Sequence, residues 1–100
     1  MNEVIDNQNA SEFELDLGSG DVAVAKYRLE GGRIVFPHTV VPEGYEGQGI
    51  GTRLIAAALA SARERGLSVV PQCSFFAGYM KRHPETRDLL DPSAASLLDG

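Results

Sequence analysis

The chain has 100 residues, of which 43% are hydrophobic and 23% charged, with a formal net charge of −5. That length fits one globular domain and leaves no room for a second. The acidic balance disfavours nucleic acid or an anionic membrane as main partner, because both attract a basic surface. No apolar run approaches the ~20 residues that span a bilayer. Residues 1–6 lack the basic and apolar regions of a signal peptide. A single cysteine, Cys73, rules out an internal disulfide, so a reducing cytoplasm is the expected compartment.

In chain order, a short first strand is predicted near Val4 and Ile5. Residues 13–17 alternate apolar and acidic, the pattern of a half-buried strand. After a turn at residues 18–21, residues 22–29 form the next strand. Ala23, Ala25, Tyr27 and Leu29 share one face of it. Residues 30–33 make a hairpin turn. Residues 34–41 form a third long strand, rich in β-branched and aromatic side chains. Pro37 within it cannot donate to a ladder and predicts a bulge, an edge or a splay. On simple alternation His38 shares a face with Ile34, Phe36 and Val40.

Next comes Glu46-Gly47-Gln48-Gly49-Ile50-Gly51-Thr52, between a strand and a strongly helical run. Three glycines in five residues permit a tight turn and the close approach of another group. The following helix begins with unpaired N–H groups at the positive end of its dipole, a binding place for phosphate. The G-x-G-x-x-G spacing of dinucleotide folds is absent, as is the Gly-Lys-Ser/Thr of a Walker loop. The helix itself is predicted over 50–65, where Ile50, Leu54, Ala58 and Ala62 recur every four residues and Ile55 and Leu59 widen the stripe. Gly66 suits its C-terminal cap. Residues 67–70 form a buried strand stopped by Pro71. A second helix is predicted over 75–82, ended by His83-Pro84, with another turn or two over 85–90. From Asp91 the chain reads as a tail. The order β-β-β-α-β-α predicts an α/β (α+β) fold: one domain over 1–90, with a mixed, mostly antiparallel sheet and two packed helices.

Four kinds of residue are candidates for chemistry. Cys73, between a strand end and a helix start, has its thiolate favoured by the dipole and is a nucleophile able to accept an acyl group. The plain alternative is a small buried hydrophobe. His38, as a neutral imidazole, can take a proton from an ammonium or from Cys73, or simply be a hydrogen-bonded core residue. Tyr79, on its own, reads as a packed aromatic with its hydroxyl at the edge. Arg53, Lys81 and Arg82 can reach phosphates or lie idle on the surface. No metal is expected, because His38 and His83 stand far apart with one cysteine between them.

Residues 46–51, read with Val41-Pro42-Glu43 before them, resemble the Arg/Gln-x-x-Gly-x-Gly/Ala signature of the GNAT superfamily of N-acetyltransferases. Gly49 and Gly51 match its two small positions. Ala77-Gly78-Tyr79-Met80-Lys81-Arg82 resembles the later helix of that family, which bears a tyrosine near the cofactor sulfur. Phe36-Pro37-His38-Thr39, Cys73 and Arg82-His83-Pro84 resemble the short GNAT-like proteins of about a hundred residues. The resemblance implies binding of acetyl-CoA (coenzyme A). It implies pyrophosphate on the N–H groups of residues 47–52 and pantetheine beside the backbone of Val40 and Val41. It also implies acetyl transfer to an amine on a small molecule or protein, directly or through Cys73, with Tyr79 as acid. Two features depart from the family: Glu46 replaces the basic first residue, and the first strands lack the helices that wall the acceptor site. A non-catalytic CoA-binding module, sensor or acyl carrier, is therefore the alternative reading, and a redox-active thiol protein a third. A monomer or weak homodimer is expected.

Overall fold

The structure, a computed structural model, describes residues 3–99. Five strands form one sheet in the order β1-β2-β3-β4-β5. They are β1 Ile5–Asn7, β2 Glu12–Gly18, β3 Asp21–Glu30, β4 Arg33–Val40 and β5 Ser68–Val70. The first three pairings are antiparallel, while β4 and β5 run parallel. A parallel neighbour needs a crossover, which α1, Ile50–Glu64, supplies. Helix α2, Ser74–Arg82, follows β5, and two 3₁₀ segments, Pro84–Leu89 and Pro92–Leu98, complete the chain. The α/β fold with a mixed sheet and packed helices is thus the one the chain adopts. Among the described residues no helix is long and apolar enough to cross a membrane.

Side-chain alternation explains which face is covered. On β2, Phe13 and Leu15 are buried while Glu12, Glu14 and Asp16 take the other face. On β3, Ala23, Ala25 and Tyr27 point inward. The small alanines let α1 lie close, and α1 packs across β2, β3 and β5. Its buried stripe is Ile50, Leu54, Ile55, Ala58, Leu59 and Ala62, the spacing expected of a helix on a sheet. Leu29 continues the β3 alternation at the hairpin end and is 49% exposed there. Helix α2 adds Phe76 and Met80 to the same core, with Phe76 stacked on Phe36 at 4.1 Å between ring centroids.

Pro37 does sit in a bulge. Lys26 pairs with His38 and Arg28 with Val35, so Tyr27 alone faces Phe36 and Pro37. The extra residue inverts the alternation along β4. Ile34 and Phe36 are buried, Thr39 pairs with inward Ala25, and His38 pairs with the outward Lys26. His38 therefore shares a face with Val40, but not with Ile34 and Phe36 as simple alternation predicts.

Residues 91–98 also differ from a tail. Asp91 donates its backbone N–H to the Val69 carbonyl at 2.8 Å and accepts from Ser68 Oγ at 2.6 Å. Pro92–Leu98 forms a 3₁₀ segment with Ala94 2% exposed, packed near α2 and β5. The physical reason is local: Asp91 caps this segment through the Ser93 N–H at 3.0 Å, and Pro92 presets its first turn.

Candidate functional site

The site is built on the loop between β4 and α1. The Tyr45 hydroxyl donates to Asp21 Oδ2 at 3.0 Å and ties the loop to the start of β3. That hydrogen bond to a carboxylate, followed by burial, raises the Tyr45 phenol above its ordinary pKa. The Glu46 carboxylate accepts from the Gly44 N–H at 3.0 Å, and Gln48 Nε2 reaches the Gly44 carbonyl at 3.4 Å. The Glu46 and Gln48 side chains are thus turned onto the loop's own backbone.

Gly47 and Gly49 have φ of 79° and 75°, the left-handed region. Apart from its chain neighbours, a Cβ at either would meet no atom of the described residues within 4 Å. Glycine is therefore demanded there by backbone conformation and not by crowding. Gly49 is the N-cap of α1, and among the described residues no side chain caps the helix there. The first i→i−4 bond runs from the Arg53 N–H to the Gly49 carbonyl at 3.0 Å. The N–H groups of Ile50, Gly51 and Thr52 have no such carbonyl within the helix. No acidic residue occupies that first turn. Left-handed turns preceding a helix start make a concavity of positive character, suited to an anion.

A pocket of about 310 Å³ opens beside this concavity. The loop and first turn of α1 form one side of it, from Glu46 to Thr52, without Gln48. Val41 and Tyr45 close the β4 end, and Ile55 lies deeper along α1. The rest of the lining is a stripe of α2: Phe75, Tyr79 and Arg82. That spacing, i, i+4 and i+7, brings three side chains to one helix face. The Tyr79 ring stacks on His83 with centroids 4.0 Å apart, and His83 Nδ1 lies 3.3 Å from a Glu85 carboxylate oxygen.

The pocket brings together Val41, Glu46, Gly47, Gly49, Ile50, Gly51, Thr52, Tyr79 and Arg82 from the residues singled out in the sequence. Others fall outside its lining. Val40 is 53% exposed on the outer face of β4. Arg53 borders a different, shallow depression with Glu3, Val4, Ala56 and Ala57. Lys81 offers its carbonyl to Arg87. Cys73 is the N-cap of α2, 8% exposed, with its backbone N–H on the Phe36 carbonyl at 2.8 Å. Its thiol meets Thr39 Oγ1 at 3.3 Å. Thr39, not His38, is thus the β4 side chain at the thiol, a consequence of the bulge. Sequence reading missed Tyr45, Ile55 and Phe75 as pocket residues. The α2 stripe was readable from the 75-79-82 spacing; Tyr45 carried no periodic signal.

Residues 12–89 match the family model described as GCN5-related N-acetyl-transferase. Protein NATD1 of Gallus gallus and of Mus musculus is 40% identical over 68 residues, covering 67% of this chain and 62% of theirs. Protein NATD1 of Homo sapiens is 40% identical over 68 residues, 60% of its length. The chain thus spans about 60% of the length of these curated relatives. The family match covers most of the chain, and it runs through the whole strand–glycine loop–helix unit that builds the pocket. The chain belongs to the GCN5-related N-acetyltransferase family.

Proposed function

We propose that this protein binds acetyl-CoA in the glycine-loop pocket and moves its acetyl group to an amine. The observation that carries the reading is the uncapped, left-handed entry to α1, which lines one pocket together with Arg82. The residues present fit a phosphate-bearing cofactor. N–H groups of the first turn supply donors and Arg82 a positive charge, while Glu46, which stands where the family usually has a basic side chain, accepts from the Gly44 N–H. The position therefore contributes backbone. The backbone of Val40, the last residue of β4, and of Val41 after it offers a partner to the pantetheine amides.

When bound, acetyl-CoA supplies an acyl group activated as a thioester. Tyr79 holds a proton at a hydroxyl whose ring is steadied by His83. Cys73 is the alternative acceptor, a thiol at the start of α2. The acceptor side is bounded only by short connections, with residues 8–11 between β1 and β2 and residues 19–20 between β2 and β3. This openness suits an amine carried on a protein. It also supports a second reading, a CoA-binding module without turnover. The net charge of −5 disfavours nucleic acid and anionic membranes as partners, and an unpaired cysteine suits the cytoplasm.

Calorimetric titration with acetyl-CoA, followed by intact mass and an assay on lysine-bearing peptides, tests the proposal. Binding with peptide acetylation is expected. An acetyl adduct lost in Cys73→Ser assigns transfer to the thiol, and binding without any transfer selects the module. Absence of binding removes the cofactor reading.

A further inference from the structure

Gly78 lies in the interior of α2, where glycine is an unfavourable residue. Its φ is not in the left-handed region, so the backbone does not require it. Apart from its chain neighbours and the nearby helix backbone, a Cβ added there would meet one described atom within 4 Å, Nη1 of Arg82, at 3.2 Å. Arg82 is one turn further along the same face. Its guanidinium therefore folds back into the hollow that the missing side chain leaves.

The surroundings of Arg82 set it apart from other arginines in this acidic chain. Arg28, Arg33, Arg63 and Arg65 each face a carboxylate, and Arg87 donates to the Lys81 carbonyl. Among the described residues Arg82 has no ion pair or side-chain hydrogen bond. It lines the same pocket as the first turn of α1. A guanidinium without an internal partner, folded back along its own helix in a pocket that also holds backbone donors, is preorganised for a phosphate.

We infer that Gly78 is a positioning residue: its missing side chain seats Arg82 so that the guanidinium clasps a phosphate of the nucleotide part of the cofactor. The inference rests on the CoA reading above. It assigns phosphate selectivity to α2, in addition to the loop, and makes Gly78 matter although it is not part of the pocket lining.

The test titrates wild type, Arg82→Ala, Gly78→Leu and the double variant with CoA and with pantetheine, which lacks phosphate. Each single variant is expected to lose roughly tenfold in CoA affinity, the scale of one charge-assisted contact. Pantetheine affinity stays unchanged, and the double variant loses no more than either single one. Gly78→Leu is expected to melt no lower than wild type, since leucine favours helix. Gly78→Ala, a smaller intrusion, shows the same direction with a smaller loss and serves should the leucine variant fail to fold. A further loss from Gly78→Leu in the Arg82→Ala background, or an equal loss for pantetheine, means that leucine obstructs the pocket and overturns the inference. Single variants that bind CoA as wild type does also overturn it and leave the cofactor reading intact. A wild type that binds no CoA removes both.

Discussion

Tyr27 is 6% exposed and donates its hydroxyl to Asp6 Oδ1 at 2.7 Å. Burial, and then the hydrogen bond to that carboxylate, push the phenol from 10.0 up to about 12. The folded-state value lies above the unfolded one. The contribution to stability is therefore whole below pH 10 and is lost as pH rises through about 12. Integrated over that window the loss is about 2–3 kcal/mol. Denaturant titrations between pH 9 and 12 are expected to show it in wild type and not in Tyr27→Phe. At Gly49, a side chain in the left-handed region costs about 1 kcal/mol or less when it is Asn or Asp, which tolerate that conformation. Gly49→Asn and Gly49→Asp should therefore melt alike. Only the aspartate places a negative charge at the start of α1, so Gly49→Asp is expected to lower CoA affinity at least tenfold below Gly49→Asn. Equal affinities in calorimetry would remove the loop from the binding site. At this scale the glycine loop was legible, because residue type and position alone mark it. The face of His38 was not, because it depends on how many β4 residues oppose Tyr27.

Helix α1 shows a start and a stop set by different means. Its start carries no side-chain cap, whereas its end is closed by two backbone bonds. The Leu67 N–H reaches the Ala62 carbonyl at 2.9 Å and the Gly66 N–H the Arg63 carbonyl at 3.2 Å, with Gly66 at φ 68°. This is a Schellman closure, and it needs a left-handed residue at Gly66. Gly66→Ala is expected to cost about 1 kcal/mol, which lowers the melting temperature by roughly 4–8 °C in a domain of this size. Differential scanning calorimetry checks it; an unchanged melting point would mean that the closure contributes nothing. The long elements were readable in sequence because a period of two or 3.6 repeats often enough to stand out. Gly66 was readable as a stop for the same reason that it is now predicted to be sensitive. Pro37 marked its bulge, since a residue without an N–H cannot stay in a regular ladder. What escaped was the consequence of the bulge, the inversion that turns Thr39 and not His38 toward Cys73.

At the scale of the whole molecule, the last residues decide how the sheet edge is finished. β5 has only three residues and pairs with β4 on one side. On the other, Val69 bridges to Leu90 in parallel, and Asp91 continues the contact to the Val69 carbonyl. The hydroxyls of Ser68 and Ser93 donate to the Asp91 carboxylate, with Arg33 near it, and hold its pKa below the ordinary carboxylate value. The docking on β5 was not visible in sequence, because residues 91–98 show no helical period and their β5 partners Ser68 and Val69 lie more than twenty positions before Leu90 and Asp91. A short edge strand offers unpaired groups unless something covers it. Residues 91–98 therefore act as a cover for β5 and not as a dispensable extension. A chain ending at Leu90 is expected to melt several degrees lower, and Asp91→Ala to reproduce a large share of that loss. Because the folded-state pKa of Asp91 is depressed, its contribution is present above pH 3.8 and is lost as pH falls further. The difference between wild type and Asp91→Ala should thus shrink in acid. Thermal melts at pH 7 and pH 3 measure both effects. A truncated chain as stable as the full one would show that β5 is held by β4 and the core alone.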